Sequence, residues 1–209
     1  MADLKKEQER DELHRAIWAI ADELRGSIDG WDFKSYVLGM MFYRYISENL
    51  TNYLNADEIE AGNENFNYAD LSDEEAEMAR EDMVQTKGFF ILPSELFCNV
   101  RKNAAQDENL NMTLESAFRH IEESAKGSDS EANFSGLFDD MDVNSNKLGA
   151  TVAKRNAKLH LVQHSKHLLV LRHIFWSKWK SCGHLCQQNI WHWIRSMVSD
   201  SSIRKVLTT

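Results

Sequence analysis

Residues 26–54, GSIDGWDFKSYVLGMMFYRYISENLTNYL, restrict the fold more than any other stretch of this chain. After a polar, glycine-punctuated turn, Phe33, Tyr36, Val37, Met40, Met41, Ile46, Leu50, Tyr53 and Leu54 recur at spacings of mostly three and four, the period of one helical face. Phe42, Tyr43 and Tyr45 fill much of the other side. A helix that is apolar nearly all round has to be covered by other elements on most faces. Asp29 can cap this helix, and Asp32 in its first turn suits the helix dipole. A helix from about residue 31 to 54 would be roughly 36 Å long at about 1.5 Å per residue, enough for the central beam of a small helical domain. The expected core is Phe33, Tyr36, Val37, Met40, Met41, Ile46 and Leu50.

Composition points the same way. A single proline and nine glycines in 209 residues suit an all-α, mainly helical fold better than a sandwich or barrel. Three cysteines make no disulfide framework, which places the chain in a reducing, cytoplasmic compartment. The N-terminus MADLKKEQERDEL is charged and lacks the apolar centre of a signal peptide. No run of apolar residues is long enough to span a bilayer.

The net charge of −9 conceals a break. Residues 160–209 carry seven Lys or Arg and one acid, Asp200, and so contribute +6 against −15 for residues 1–159. The same stretch holds six of the eight His and four of the six Trp. Such a shift marks a boundary, so residues 1–159 are expected to form a helical domain and residues 160–209 a poorly ordered tail.

Along the first part, residues 5–25 read as an amphipathic helix with Leu13, Ile17, Ile20, Ala21 and Leu24 on one stripe, pairing with the central helix as an αα-hairpin. Residues 55–71 are polar and read as loop. Ser72 and Glu75 form a capping-box pattern before a short acidic helix over about 73–84. Residues 88–92 suit a brief strand or an extended buried segment, and Pro93 suits the first turn of a helix reaching about Asn103. Met112, Leu114, Phe118 and Ile121 predict an amphipathic helix over 112–126, stopped by Gly127. Asn146 is placed to cap a helix from Lys147, with Leu148, Val152 and Leu159 on one face.

Two clusters resemble metal sites. Asp140, Asp142, Asn144 and Asn146 supply oxygens at the first, third, fifth and seventh positions of a calcium loop. Ser145 stands where such a loop needs glycine, however, and Thr151 where it needs a bidentate glutamate, so a solvated loop with a helix cap is the better reading. Cys182-Gly-His184-Leu-Cys186, with His164, His167, His173 and His192 around it, has one zinc-like ligand pair and no matching second pair. No metal site is therefore expected. There is no G-x-G and no phosphate-binding loop, and no local signature names a nucleophile, so no catalytic or cofactor-binding residue is assigned.

GWDFKSYVLGMMFYRYISENL (residues 30–50), with the preceding ELHRAIWAIADELRGSIDGW, closely resembles the N-terminal region of the modification (M) subunit of type I restriction-modification systems. KGFFILPSELFCNV (87–100) and LFDDMDVNSNKLGATVAKRNAKL (137–159) fit the same family in the same order. The resemblance implies a helical domain that helps clamp DNA and contacts partner subunits, with no membrane association. It further implies a specificity (S) subunit, a second M subunit and a restriction (R) subunit as partners. The family methylates adenine N6 in DNA with S-adenosylmethionine, using a following domain with a glycine-rich loop and an Asn-Pro-Pro-Phe or -Tyr motif. Pro93 is the only proline here, so that motif is absent, and no cofactor is expected in this chain. The resemblance stops at about Leu159, and the expectation is a truncated M subunit with an out-of-frame tail that is inactive alone. The competing reading is a stand-alone helical binding protein whose basic, Trp-rich tail engages nucleic acid or a membrane.

Overall fold

A computed structural model describes Arg15 and residues 30–165, apart from the side chains of residues 30–34 and 38. The expectations for the first helix, the Asp29 cap, the αα-hairpin, the Phe33 side chain, the Cys182–Cys186 cluster and the tail from 166 onward lie outside the described residues. Within them the protein is helical and has no strand: α1 (Gly30–Glu60), a 3₁₀ turn at Tyr68–Asp70, α2 (Asp73–Glu77), α3 (Arg80–Lys87), a second 3₁₀ turn at Pro93–Glu95, α4 (Phe97–Asn103), α5 (Leu110–Ser124), α6 (Glu131–Phe134) and α7 (Val152–His164). The chain divides into two compact units. One is Phe42–His160, and the other contains the start of α1 and the end of α7.

Tyr36, Val37, Met40, Met41, Ile46 and Leu50 of α1 are buried, and so are Phe42, Tyr43 and Tyr45. Even the polar Arg44 and Ser47 are covered. Arg44 is tolerated there because its Nε pairs with Glu48 Oε1 at 2.9 Å and its guanidinium lies 5.3 Å from the Phe97 ring centroid. The helix outruns its expected end by six residues, so 55–60 are helix rather than loop. Its last turn is solvated and polar, and the stop comes from Gly62, whose φ is +102°. Gly62 N–H donates to the Ile59 carbonyl and Asn63 N–H to the Glu58 carbonyl, a Schellman end that only glycine forms without strain.

The acidic segment 73–84 is two helices instead of one. Ser72 caps α2 with a reciprocal capping box to Glu75, and the chain turns at Met78 and Ala79 before α3. Gly88 is left-handed, and residues 89–92 follow it as an irregular stretch with no neighbouring strand. Side chains replace the missing ladder: Phe90 N–H donates to Ser124 Oγ at 2.9 Å, and Tyr68 Oη donates to the Ile91 carbonyl at 2.8 Å. Ser128 Oγ serves the Gly88 carbonyl at 3.1 Å. Buried backbone groups need such partners, and Phe89, Phe90 and Ile91 are all buried. Pro93 opens the short 3₁₀ turn, and the helix to Asn103 starts only at Phe97.

Two expected faces shift. α5 begins at Leu110, and its buried stripe is Leu110, Asn111, Leu114, Ala117, Phe118 and Ile121. Met112 is exposed because it stands two residues from Leu114, and residues two apart do not share a helical face. Asn146 does not cap α7. It lends only its carbonyl to Gly149 N–H, Leu148 drops into the core from a turn, and α7 starts at Val152. Thr151 caps it instead, its Oγ1 accepting Lys154 N–H at 3.3 Å. Val152 is exposed in the opening turn, whereas Asn156 and Leu159 are buried.

Candidate functional site

The Pro93–Glu95 turn gathers the Phe42–His160 unit around itself. From α1, Tyr43 Oη donates to the Glu95 carbonyl, and Ser47 Oγ accepts Phe97 N–H at 3.2 Å, which satisfies a donor at the start of α4. From α2, Asp73 accepts Ser94 N–H at 2.9 Å and Ser94 Oγ at 2.6 Å. From α5, His120 Nδ1 meets the Glu95 carboxylate. Asn99 Nδ2 donates to the Ala69 and Pro93 carbonyls, both at 2.8 Å. Around this turn runs a chain of rings. Tyr43 is edge-on to Phe97 at 5.6 Å and to Phe118 at 5.2 Å, Phe118 stacks on Phe138 at 4.2 Å, and Phe42 lies 6.3 Å from Phe138.

A half-buried carboxylate–histidine pair is a familiar catalytic element, but here its surroundings are structural. Burial, followed by the Glu95 charge, drives the Tyr43 phenol well above its usual range, so it stays protonated and its proton is committed to a carbonyl. The exposed Cys98 thiol is likewise pushed up by desolvation and is a poor source of thiolate. The pair therefore has no activated nucleophile beside it and works as a clamp between the turn and α5.

The clamp has a pH signature. Burial raises the Glu95 carboxyl above its ordinary 4.5 and outweighs the hydrogen bond and charge of His120, which lower it. A carboxyl raised in the folded state holds its proton more tightly there than in the unfolded chain. Its contribution to stability is thus full below 4.5 and is lost as pH rises through the raised value. Glu95→Gln should remove that loss, so the stability of the parent relative to the variant should decline as urea melts move upward from pH 4.5. A difference that stays flat or moves the other way would refute this account.

The calcium-like loop is used for packing. Asn144 Oδ1 accepts from Asn111 Nδ2, and Asn144 Nδ2 donates to Glu115 Oε2 at 2.8 Å. Asn156 of α7 accepts Asn111 N–H at 3.1 Å and donates to the Glu108 carbonyl at 2.6 Å. The three asparagines thus tie the loop, α5 and α7 together, and Asn144 is not available as an ion ligand. Among the described residues no group of three His, Cys, Asp or Glu is placed to hold a metal ion. No helix among them is long and apolar enough to cross a membrane.

The surface is sharply divided by charge. Residues 42–142 hold 23 acids and seven Lys or Arg, whereas residues 143–160 hold Lys147, Lys154, Arg155 and Lys158 and no acid. On α7, Ala153, Lys154 and Ala157 are exposed and Lys158 is half-exposed. Arg155 is tied back, its Nη1 donating to the Gly149 carbonyl at 3.1 Å. The signal for this strip in the sequence is the acid-free run 143–160 alone, which carries no motif.

Residues 13–164 match the family described as the HsdM N-terminal domain. The type I restriction enzyme MpnII methylase subunit of Mycoplasma pneumoniae is 45% identical over 162 residues, which cover 74% of this chain and 30% of that protein. The crystal structure of a type I restriction-modification system methyltransferase subunit from Streptococcus thermophilus is similar with a TM-score of 0.58 at 30% identity, over 77% of this chain and 34% of that one. The chain thus spans about a third of the length of these relatives.

Proposed function

Because the chain belongs to the HsdM N-terminal domain family, we propose that it is the helical module through which a type I restriction-modification methylase subunit grips DNA and meets its partner subunits. The family match over residues 13–164 carries this reading. The partners are the specificity subunit, a second methylase subunit and, in the cutting complex, the restriction subunit. The module works in the cytoplasm. The full-length protein methylates adenine N6 from S-adenosylmethionine, and the module itself supplies neither the cofactor site nor the methyl-transfer residues. Two features support this division: the chain has no G-x-G loop and no Asn-Pro-Pro motif, and the Tyr43 hydroxyl and the His120 ring are engaged in holding the turn. The charge reversal near residue 160 and the end of the family match at 164 support a domain limit at about 159–164, with the residues beyond 164 as a separate tail outside the family.

The test mixes the purified chain with a type I specificity subunit, then adds DNA and labelled S-adenosylmethionine. Co-elution of the two proteins on size exclusion is expected, and no label should reach the DNA. Label incorporation by the chain alone would overturn the inactive assignment, and separate elution would overturn the subunit contact.

A further inference from the structure

We propose that the exposed face of α7 carrying Lys154 and Lys158 is the surface with which this module contacts the phosphate backbone of duplex DNA. The proposal rests on the reading of the chain as a DNA-gripping module and assigns the contact to named residues.

Sequence and geometry together select this face. The 23 acids and seven bases of residues 42–142 make most of the Phe42–His160 unit unfavourable for a polyanion. The segment 143–160, with four Lys or Arg and no acid, is the longest exception. Lys154 and Lys158 stand four residues apart, about 6 Å along the helix and on one face. Among the described residues neither has an ion-pair partner. Ala153 and Ala157 lie beside them and are exposed, so no bulky side chain stands between the two lysines. The turn before the helix is held in place: Gly149 sits so close that a Cβ there would lie 2.6 Å from Lys154 Cβ, and Arg155 donates to the Gly149 carbonyl. The strip is therefore presented on a fixed framework. The orientation of α7 adds to this, since its opening turn carries the positive end of the helix dipole.

An acidic protein face is the competing partner. Protein contacts draw their affinity from clustered aromatic and large apolar anchors, and this face offers alanines between its lysines and a single exposed leucine, Leu161, one turn beyond Lys158. Cations at one-turn spacing with small residues between them suit a line of phosphates better. The acids elsewhere on the unit oppose binding, but beyond about 10 Å at 0.1 M salt their effect is largely screened.

The experiment measures fluorescence anisotropy of a labelled 20-base-pair duplex with the full chain from about 50 to 200 mM salt, the range over which phosphate contacts show their salt dependence. The parent is compared with the double variant Lys154→Ala, Lys158→Ala. Alanine keeps helix propensity at these solvated positions, so circular dichroism and thermal melts should match the parent. The basic residues beyond 160 are present in both proteins and cancel in the comparison. Each lost phosphate contact should lower the salt slope by about 0.9, so the affinity gap between parent and variant should shrink about tenfold over this range. Equal affinity and slope for the two proteins, with the parent binding, would overturn the assignment to α7 and leave the gripping role intact. A parent that does not bind at about 50 mM salt would overturn both. A variant that keeps DNA binding but no longer co-elutes with the specificity subunit would make the strip a protein contact and also overturn the proposal.

Discussion

Tyr43→Ala should destabilise the Phe42–His160 unit by about 3–5 kcal/mol, the range for deleting a buried large aromatic side chain. Tyr43 is fully buried, contacts Phe97 and Phe118 edge-on, and closes the polar clamp through Glu95. The truncation removes two ring contacts, opens a cavity and strips the Glu95 carbonyl of its donor in one step. Tyr43→Phe separates these effects. It keeps the rings and leaves only the carbonyl unsatisfied, for an expected loss of about 1–3 kcal/mol. Urea denaturation followed by circular dichroism measures both. If the two variants lose the same amount, the rings contribute little and the packing account fails. If Tyr43→Phe loses nothing, the hydrogen bond to Glu95 contributes nothing to stability.

Gly88→Ala should be nearly as damaging, for a different reason. Gly88 ends α3 with φ +82°, a conformation that disfavours any side chain by about 1–2 kcal/mol. A Cβ there would also lie 1.9 Å from Ser130 Oγ and 2.5 Å from Ser130 Cβ. Rotating the hydroxyl relieves the first contact but not the second, so the backbone must shift. Such overpacking costs about 1–3 kcal/mol, and the two effects together give about 2–5 kcal/mol. The double variant Gly88→Ala, Ser130→Gly tests the split, because it removes the clash and keeps the conformational strain. Thermal melts should show partial recovery over Gly88→Ala alone. Full recovery would show that the backbone at 88 is not strained, and none would show that Ser130 is not the obstacle. Gly62, by contrast, has open space around its absent Cβ, so only its positive φ resists substitution.

The sequence by itself determined the helical class, the central helix and the family. These depend on patterns carried by neighbours along the chain: the three–four period of residues 33–54, the Ser72–Glu75 box and the order of the matching blocks. The true ends of the elements were partly readable too. Gly62 signalled the end of α1, and Leu110 the start of the α5 stripe, but the polar run 55–60 and the apolar Met112 pulled the reading elsewhere. A solvated helix needs no apolar face, which is why hydrophobic period alone stops α1 too soon. Tertiary structure alone decided how the strandless run 88–92 is satisfied. It also decided that His120 meets Glu95 from 25 residues away, and that Asn144 joins Asn111 from 33 away. Each of those side chains has several possible partners in an unfolded chain. The partner is fixed only when helices packed by their aromatic faces bring one donor and one acceptor together. The lysine strip on α7 belongs to both levels. Its freedom from acid is written in residues 143–160, whereas its exposure was decided by which side of the helix Asn156 and Leu159 turn into the core.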